Sequence, residues 1–257
     1  MIDTNPFSLD GKNIIITGAS SGIGRECAIS CSKMGARVFL IARNRDRLNE
    51  TLSLMNQVEK HRAIVFDVTD FENIESIVQS IAIEPGKIDG FIHCAGKELT
   101  LPTISMKPAY YADMYAVNVV SAFEFAKHIS KKKYCSPNGC SIVFIASVMG
   151  ILGEIAHLSY CATKGALIAG AKALALEYAG KNIRVNAVSP AQVENTYITQ
   201  KMLENFSAEN KNNKLLMHPL GYGQPKDVAN ACIYLLSEAS HWVTGSNIIV
   251  DGGYSAK

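Results

Sequence analysis

Tyr160 and Lys164 stand four residues apart in the run SYCATKGA (159–166). On a helix, positions i and i+4 share a face, so the phenol and the ammonium would project together, with Cβ atoms about 6 Å apart. The pair has two readings. It is an aromatic beside a snorkelling cation on a surface helix, or it is a proton donor beside the charge that tunes it. Carbonyl reduction supplies the chemistry for the second. As hydride reaches the carbon an alkoxide forms, and a donor must sit at the oxygen; an unperturbed phenol, with a pKa of about 10, is a slow base for the reverse oxidation. A nearby ammonium and the positive charge left on a spent hydride carrier would both favour phenolate, and lowering the pKa by two units corresponds to about 2.7 kcal/mol.

A hydride carrier needs its own site, and TGASSGIG (17–24) has the composition of one. It directly follows an apolar run and opens a segment of helical period. Gly18 permits the tight turn, Gly22 lets the main chain approach a phosphate, and Gly24 lets the helix pack closely on the strand. The helix N-terminus would face a pyrophosphate with free amides, and Ser20, Ser21 and Ile23 belong to the same turn. A structural turn is the competing reading, disfavoured by the strand–turn–helix context.

The run LIARNRDRL bears on which dinucleotide binds. An Asp or Glu at the end of the second strand would accept the ribose 2′-hydroxyl of NAD, whereas this chain has Ala42 followed by Arg43. Nothing there repels a 2′-phosphate, and Arg43 can grip one through a charge-assisted fork, so NADP(H) is expected over NAD(H). The plainer alternative is a solvated cation beside Arg45 and Arg47.

The elements that position these residues alternate in type. Strands are expected at 13–17, 37–42, 63–67, 90–94, 141–147, 184–189 and 247–250, and helices near 23–34, 45–58, 71–82, 109–132, 157–179 and 226–237. Such alternation implies an α/β fold: a single Rossmann-type domain over 1–257, doubly wound, with about seven parallel strands and helices on both faces. Ligands of such sheets bind beyond the carboxyl ends of the strands. Lys97, Glu98, Val148, Met149, Glu154, His157 and Gln192 are therefore candidates to line a substrate pocket. The weakly periodic stretch 195–218 reads either as a lid over it or as a solvated connection. His157 reads more simply as a helix-start residue than as a second proton carrier.

Bulk properties narrow the partners. With 257 residues, 48% hydrophobic content and a net charge of +2 without charged blocks, the chain suits a small-molecule ligand, not nucleic acid or a membrane surface. The seven cysteines form no Cys-x-x-Cys or Cys/His cluster, so free thiols in a reducing cytosol are expected and no metal. No leader-like segment and no apolar run of membrane-spanning length is evident, which points to the cytoplasm.

The spacing T-G-x-x-x-G-x-G resembles the short-chain dehydrogenase/reductase family, and the resemblance extends along essentially the whole chain. HCAG (93–96) stands where that family has Asn-Asn-Ala-Gly, Asn118 in MYAVNVV fits its helix asparagine, Ser147 its catalytic serine, and Tyr160 with Lys164 its Tyr-x-x-x-Lys pair. The resemblance implies roles. Tyr160 would be the general acid in reduction, Ser147 would hydrogen-bond the substrate oxygen, Lys164 would hold the nicotinamide ribose and tune Tyr160, and Asn118 would position a proton-relaying water. It further implies cofactor contacts from Asp67 and Val68 near the adenine, from Cys94, Ala95 and Gly96 after the fourth strand, and from Pro190 and Val193, the last to the carboxamide. The C-terminal WVTGSNIIVDGG (242–253) resembles the strand that packs in the family's tetramers, so a homotetramer or homodimer is expected.

Two departures stand out. His93 replaces the motif's first asparagine, and Pro190-Ala191 replaces Pro-Gly, so a positive φ is disfavoured at Ala191. Four functions fit this much: an NADPH-dependent ketone reductase, a 3-oxoacyl carrier-protein reductase drawing an acidic carrier to KKKY (131–134), a non-catalytic dinucleotide-binding sensor, and an enzyme of dehydration or epimerisation, whose related folds mostly have longer chains and a different first glycine spacing. Leu176 before Glu177, where carrier-protein reductases often have a basic residue, argues against the second. An intact Asn118, Ser147, Tyr160 and Lys164 set argues against the third.

Overall fold

The computed structural model describes residues 5–83, 86–196, 199–200 and 215–256. Most of the expected lid therefore lies outside the described residues. Seven strands form one sheet: β1 (Asn13–Thr17), β2 (Arg37–Ala42), β3 (Arg62–Val65), β4 (Gly90–His93), β5 (Cys140–Ile145), β6 (Ile183–Pro190) and β7 (Asn247–Val250). Their order is β3-β2-β1-β4-β5-β6-β7, and every pairing is parallel. Parallel neighbours require crossovers, here the helices α1 (Gly22–Lys33), α2 (Arg45–Ser53), α3 (Ile74–Ile83), α4 (Pro108–Tyr115), α5 (Ser121–Ile129), α6 (Leu158–Tyr178) and α7 (Pro225–Leu236).

The strands are apolar without alternation because both faces are covered. The period of two still decides which face each residue meets. Ile14 and Ile16 point into the core shared with α1, α2 and α7, whereas Ile15 points into the core shared with α3, α5 and α6. On β5, Val143 and Ile145 face the first layer, and Ile142 and Phe144 the second. Phe91 and Phe125 stack there at 5.4 Å between ring centroids, both fully buried, each burial contributing on the order of 1.5–3 kcal/mol.

Several element bounds differ from expectation, β5 ending at Ile145 and α3 starting at Ile74 among them, and three further differences bear on the site. The strand expected at 63–67 ends at Val65, where Asp67 turns the chain by accepting hydrogen bonds from the Thr69 amide (3.0 Å) and hydroxyl (2.8 Å). The helix expected at 45–58 stops at Ser53. The single helix expected over 109–132 is instead α4 and α5 joined by a π turn at Ala116–Val120. Such a bulge inserts one residue into the helical repeat and is invisible to a periodicity count.

Candidate active site

After β1 the chain turns to β2 on one side, and after β3 it returns to β4 on the other, so the β1 and β4 carboxyl ends bound the crevice where the strand order reverses. Gly18 lies there with φ +67, and a Cβ on it would stand 2.8 Å from the Ala95 amide nitrogen. A Cβ on Gly24 would stand 2.3 Å from the Gly18 carbonyl oxygen. This glycine therefore lets α1 close onto the residue that follows β1. Ser21, the N-cap of α1, is extended (φ −164, ψ 167) and makes no side-chain cap bond, which leaves the helix's first amides to a ligand. Beside it opens a cleft of about 440 Å³ lined by Ser21, Gly22, Arg25, Asn195, Gln224 and Lys226 among others.

Two braces of this turn are not evident from sequence. The Arg25 guanidinium donates to the Ser20 carbonyl (2.8 Å) and pairs with Glu50 (2.9 Å), while the Thr51 hydroxyl donates to the Ala19 carbonyl (3.1 Å). Both occupy main-chain oxygens of the turn. A turn too tight to admit a Cβ, leading into a helix with no side-chain cap, fits a pyrophosphate. At the end of β2, Arg43 is 80% exposed and its Nη1 lies 3.8 Å from Asp67 Oδ2. Hydrogen bonds from Thr69, and then Arg43, hold the Asp67 carboxyl below its usual range, against burial.

The second group of residues gathers at the ends of β4 and β5 and on the first turns of α6. Ser147 follows β5 and caps the short turn Val148–Gly150; its Oγ accepts from the Met149 amide (3.2 Å) and lies 3.5 Å from the Pro190 carbonyl. Gly150 brings this turn onto α6, since a Cβ there would stand 2.8 Å from the Lys164 carbonyl carbon and 2.9 Å from the Gly165 amide nitrogen. Neither glycine belongs to a recognised motif, yet their contact sets Ser147 against Tyr160. Lys164 Nζ donates to the Ile145 carbonyl (2.8 Å) and sits 5.5 Å from the Tyr160 ring centroid. Gly96 forms the floor between Lys164 and Asn118.

Electrostatics here run opposite to the expectation of a lowered phenol pKa. Burial pushes Tyr160 well up, the Glu98 charge adds to this, and only the Ser147 hydrogen bond pulls it down. Burial also brings Lys164 down to about 8. The phenol is thus held protonated at neutral pH.

Asn118 lies in the π turn and is fully buried. Its Oδ1 accepts from the Lys97 amide (2.8 Å), and its Nδ2 donates to the Lys97 carbonyl (3.0 Å) and to Thr163 Oγ1 (3.1 Å). The side chain is a clamp between the chain after β4 and α6. Of the other pocket candidates, Lys97 pairs with Asp113, Gln192 donates to Thr199, Val148 is buried, and Glu98 bonds His157.

A family model described as enoyl-(acyl carrier protein) reductase matches residues 18–255. The chain is 31% identical over 254 residues to an NAD-dependent glycerol dehydrogenase of Listeria innocua, covering 98% of this chain and 96% of the relative. It is 34% identical over 250 residues to a 3-oxoacyl-[acyl-carrier-protein] reductase of Thermotoga maritima, covering 95% and 98%. A solved 7α-hydroxysteroid dehydrogenase complexed with NADH and 7-oxo glycochenodeoxycholic acid superposes with a TM-score of 0.90 at 30% identity, covering 98% of each chain. The protein belongs to the short-chain dehydrogenase/reductase family.

As a short-chain dehydrogenase/reductase it is an enzyme acting on alcohol or carbonyl groups with a nicotinamide cofactor. The departure at His93 has a full structural account. Ser121 donates to the Val117 carbonyl (2.6 Å), so its oxygen can only accept from His93 Nε2 (3.4 Å). His93 Nδ1 then accepts from the Thr17 hydroxyl (3.0 Å), whose oxygen accepts the Ala95 amide (3.3 Å). One buried imidazole links the end of β1, the turn after β4 and the π turn carrying Asn118. At the second departure, the Ala191 amide donates to the Val250 carbonyl (3.3 Å), extending the pairing with β7. Positive φ falls on Asn195 instead (φ 56).

Burial and the Lys164 charge hold His93 down at about 3, so it folds neutral. An unfolded histidine titrates near 6.5, so between about pH 6.5 and 3 the unfolded chain binds the extra proton and stability falls with acid by about 1.4 kcal/mol per pH unit. We expect His93→Asn to be less stable than wild type by about 1–3 kcal/mol at pH 7, where relay bonds are lost, and the gap to close on acidification. Paired denaturant melts across that range check it; a pH-independent gap would contradict the neutral relay.

Proposed function

We propose that the protein is an NADPH-dependent carbonyl reductase in which Tyr160 protonates the substrate oxygen. The observation that carries this reading is the half-buried Tyr160 ring with Lys164 Nζ 5.5 Å from its centroid, in surroundings that raise the phenol and so keep its proton. The cofactor supplies hydride to the carbonyl carbon. Ser147 Oγ and Tyr160 Oη bind the same oxygen, where the preorganised pair of donors stabilises the developing alkoxide. Lys164, ammonium at neutral pH, is placed to replace the proton that Tyr160 gives up and to hold the nicotinamide ribose. Because the Asn118 amide is committed to Lys97 and Thr163, any water it orders would sit on its main-chain carbonyl, which the π turn removes from the regular helical ladder.

Gly18, Ser20, Ser21, Gly22, Ile23 and Gly24 would cradle the pyrophosphate, with Asp67 and Val68 beside the adenine and Cys94, Ala95, Gly96, Pro190 and Val193 along the nicotinamide half. NADP(H) preference rests on Ala42 and Arg43. Since Arg43 is exposed and loosely paired with Asp67, its guanidinium can rotate onto a 2′-phosphate at little cost. Arg43→Ala should raise the KM for NADPH by about tenfold, the scale of one charge-assisted contact, and leave that for NADH nearly unchanged. Steady-state kinetics with both cofactors check this.

The carrier-protein alternative draws support from the Thermotoga maritima relative's name. The triple lysine does not favour it, because Lys131 and Lys133 both bind Glu75, at 2.8 and 3.0 Å. A cytoplasmic homotetramer is the assembly we favour: β7 is an open sheet edge with Ile249 45% exposed, and Trp242 nearby in sequence is 91% exposed. An NADPH-oxidation screen against acyl, sugar, steroid and small aromatic ketones tests the activity. No turnover across that panel with tight NADPH binding would count against it.

A further inference from the structure

His157 and Glu98 form a charged pair beside the phenol, on grounds of valence alone. His157 stands at the N-cap of α6. Its Nδ1 lies 3.0 Å from the Ile155 carbonyl, which only accepts, so Nδ1 carries a proton. Its Nε2 lies 2.7 Å from Glu98 Oε1, within the short range of charge-assisted bonds. A carboxylate also only accepts, and imidazole is the stronger base of the two, so Nε2 is protonated as well. Thr100 Oγ1, 2.9 Å from Nε2 and 3.4 Å from Glu98 Oε1, closes the group. The side chains are only 12% and 15% exposed, so water screens the pair weakly.

The pair joins two segments that flank Tyr160. The Leu101 amide donates to the Ala156 carbonyl (2.8 Å), and Ala156 holds a left-handed backbone (φ 64) that is strained for a residue with a Cβ. The His157 ring meets the Tyr160 ring edge-on at 6.4 Å. We propose that His157 is a positioning residue whose charge cancels that of Glu98 at the Tyr160 phenol, so that the ion pair sets how readily Tyr160 gives and takes its proton. This rests on the reading of Tyr160 as the proton donor.

The charged and titratable neighbours agree in sign. The Glu98 bond, and then Glu154, raise His157 against burial. Glu98 and Cys161 act on Tyr160, and Cys94 and Glu98 on Lys164. Removing the imidazolium leaves the carboxylate unopposed and makes phenolate harder to form; removing the carboxylate leaves a cation and makes it easier. A unit charge at about 6 Å with an effective dielectric of about 20 to 40 changes proton affinity by tenfold or more.

Two measurements on the intact chain test the proposal without requiring turnover. Imidazole NMR titration, with His157 assigned by its loss in His157→Gln, should give a midpoint above about 6.5 that drops about tenfold in proton affinity in Glu98→Gln. Near-ultraviolet phenolate absorbance with NADP+ added, taken as the difference from the same background carrying Tyr160→Phe, should move about tenfold toward phenolate in Glu98→Gln and about tenfold away in His157→Gln. The double variant Glu98→Gln/His157→Gln should return close to wild type. If both single variants move the phenol in the same direction, or neither moves it, the pair is merely structural and the proposal fails. If the imidazole midpoint ignores Glu98→Gln, the ion pair itself fails. An intact imidazole response with a Tyr160 that does not matter to turnover would overturn the proton-donor reading instead.

Discussion

Tyr160→Phe should lower the turnover of NADPH-coupled ketone reduction roughly a thousandfold, within the range for loss of a general acid, while NADPH affinity stays within about twofold. The substitution deletes one oxygen and keeps the ring. The ring's own contacts, with Lys164 Nζ at 5.5 Å and the His157 ring at 6.4 Å, therefore survive, and Lys164 keeps its bond to the Ile145 carbonyl. The glycine turn lies on β1 and α1 and does not touch the deleted atom. What disappears is the phenol proton itself. Stopped-flow or steady-state NADPH absorbance measures the first quantity and fluorescence quenching of NADPH the second. Residual activity within about tenfold of wild type would move the proton donor elsewhere, whereas a matching loss of affinity would show that the phenol serves binding instead.

Gly24→Ala carries the second large effect, for a different reason. Its Cβ would fall 2.3 Å from the Gly18 carbonyl oxygen and 2.8 Å from the Gly18 carbonyl carbon, and both are backbone atoms of a turn already at φ +67. No rotamer relieves that contact, so the turn must open. The brace from Arg25 to the Ser20 carbonyl and from Thr51 to the Ala19 carbonyl resists the opening. We expect a loss of about 1–3 kcal/mol in stability, the usual cost of overpacking, and at least a tenfold loss of NADPH affinity, because the amides no longer converge. Chemical melts and calorimetric titration separate the two. The same change at Gly153, where a Cβ meets nothing within 4 Å, should leave both nearly unaltered.

Much of the architecture is legible along the chain because both of its periodicities are strong. β1, β2 and β7 coincide with their apolar runs, and α6 differs by one residue at each end from the expected 157–179. Two of the departures share a cause. The shortened β3 is ended by an Asp67–Thr69 turn, and the long helix is broken by a π turn; in both, side chain–backbone hydrogen bonding overrides a pattern read from hydrophobicity. Ser121, which bonds the Val117 carbonyl from one turn beyond, carries no sequence mark that distinguishes it from any helix serine.

The sequence by itself determined the parts: a glycine turn after the first strand, an arginine in place of an acidic residue after the second, a serine ending the fifth, and a phenol and an amine one helical turn apart. These are properties of type and spacing, and spacing along one element is local geometry. Only the tertiary structure decided their states. Tyr160 is raised because the fold buries it, Lys164 is lowered for the same reason, and the Glu98 charge reaches both from a different strand end. His93 becomes a neutral relay because Thr17 and Ser121, 76 and 28 residues away in sequence, meet it in the core. Burial and long-range charge depend on what the whole chain packs around a group, and no local pattern contains that information.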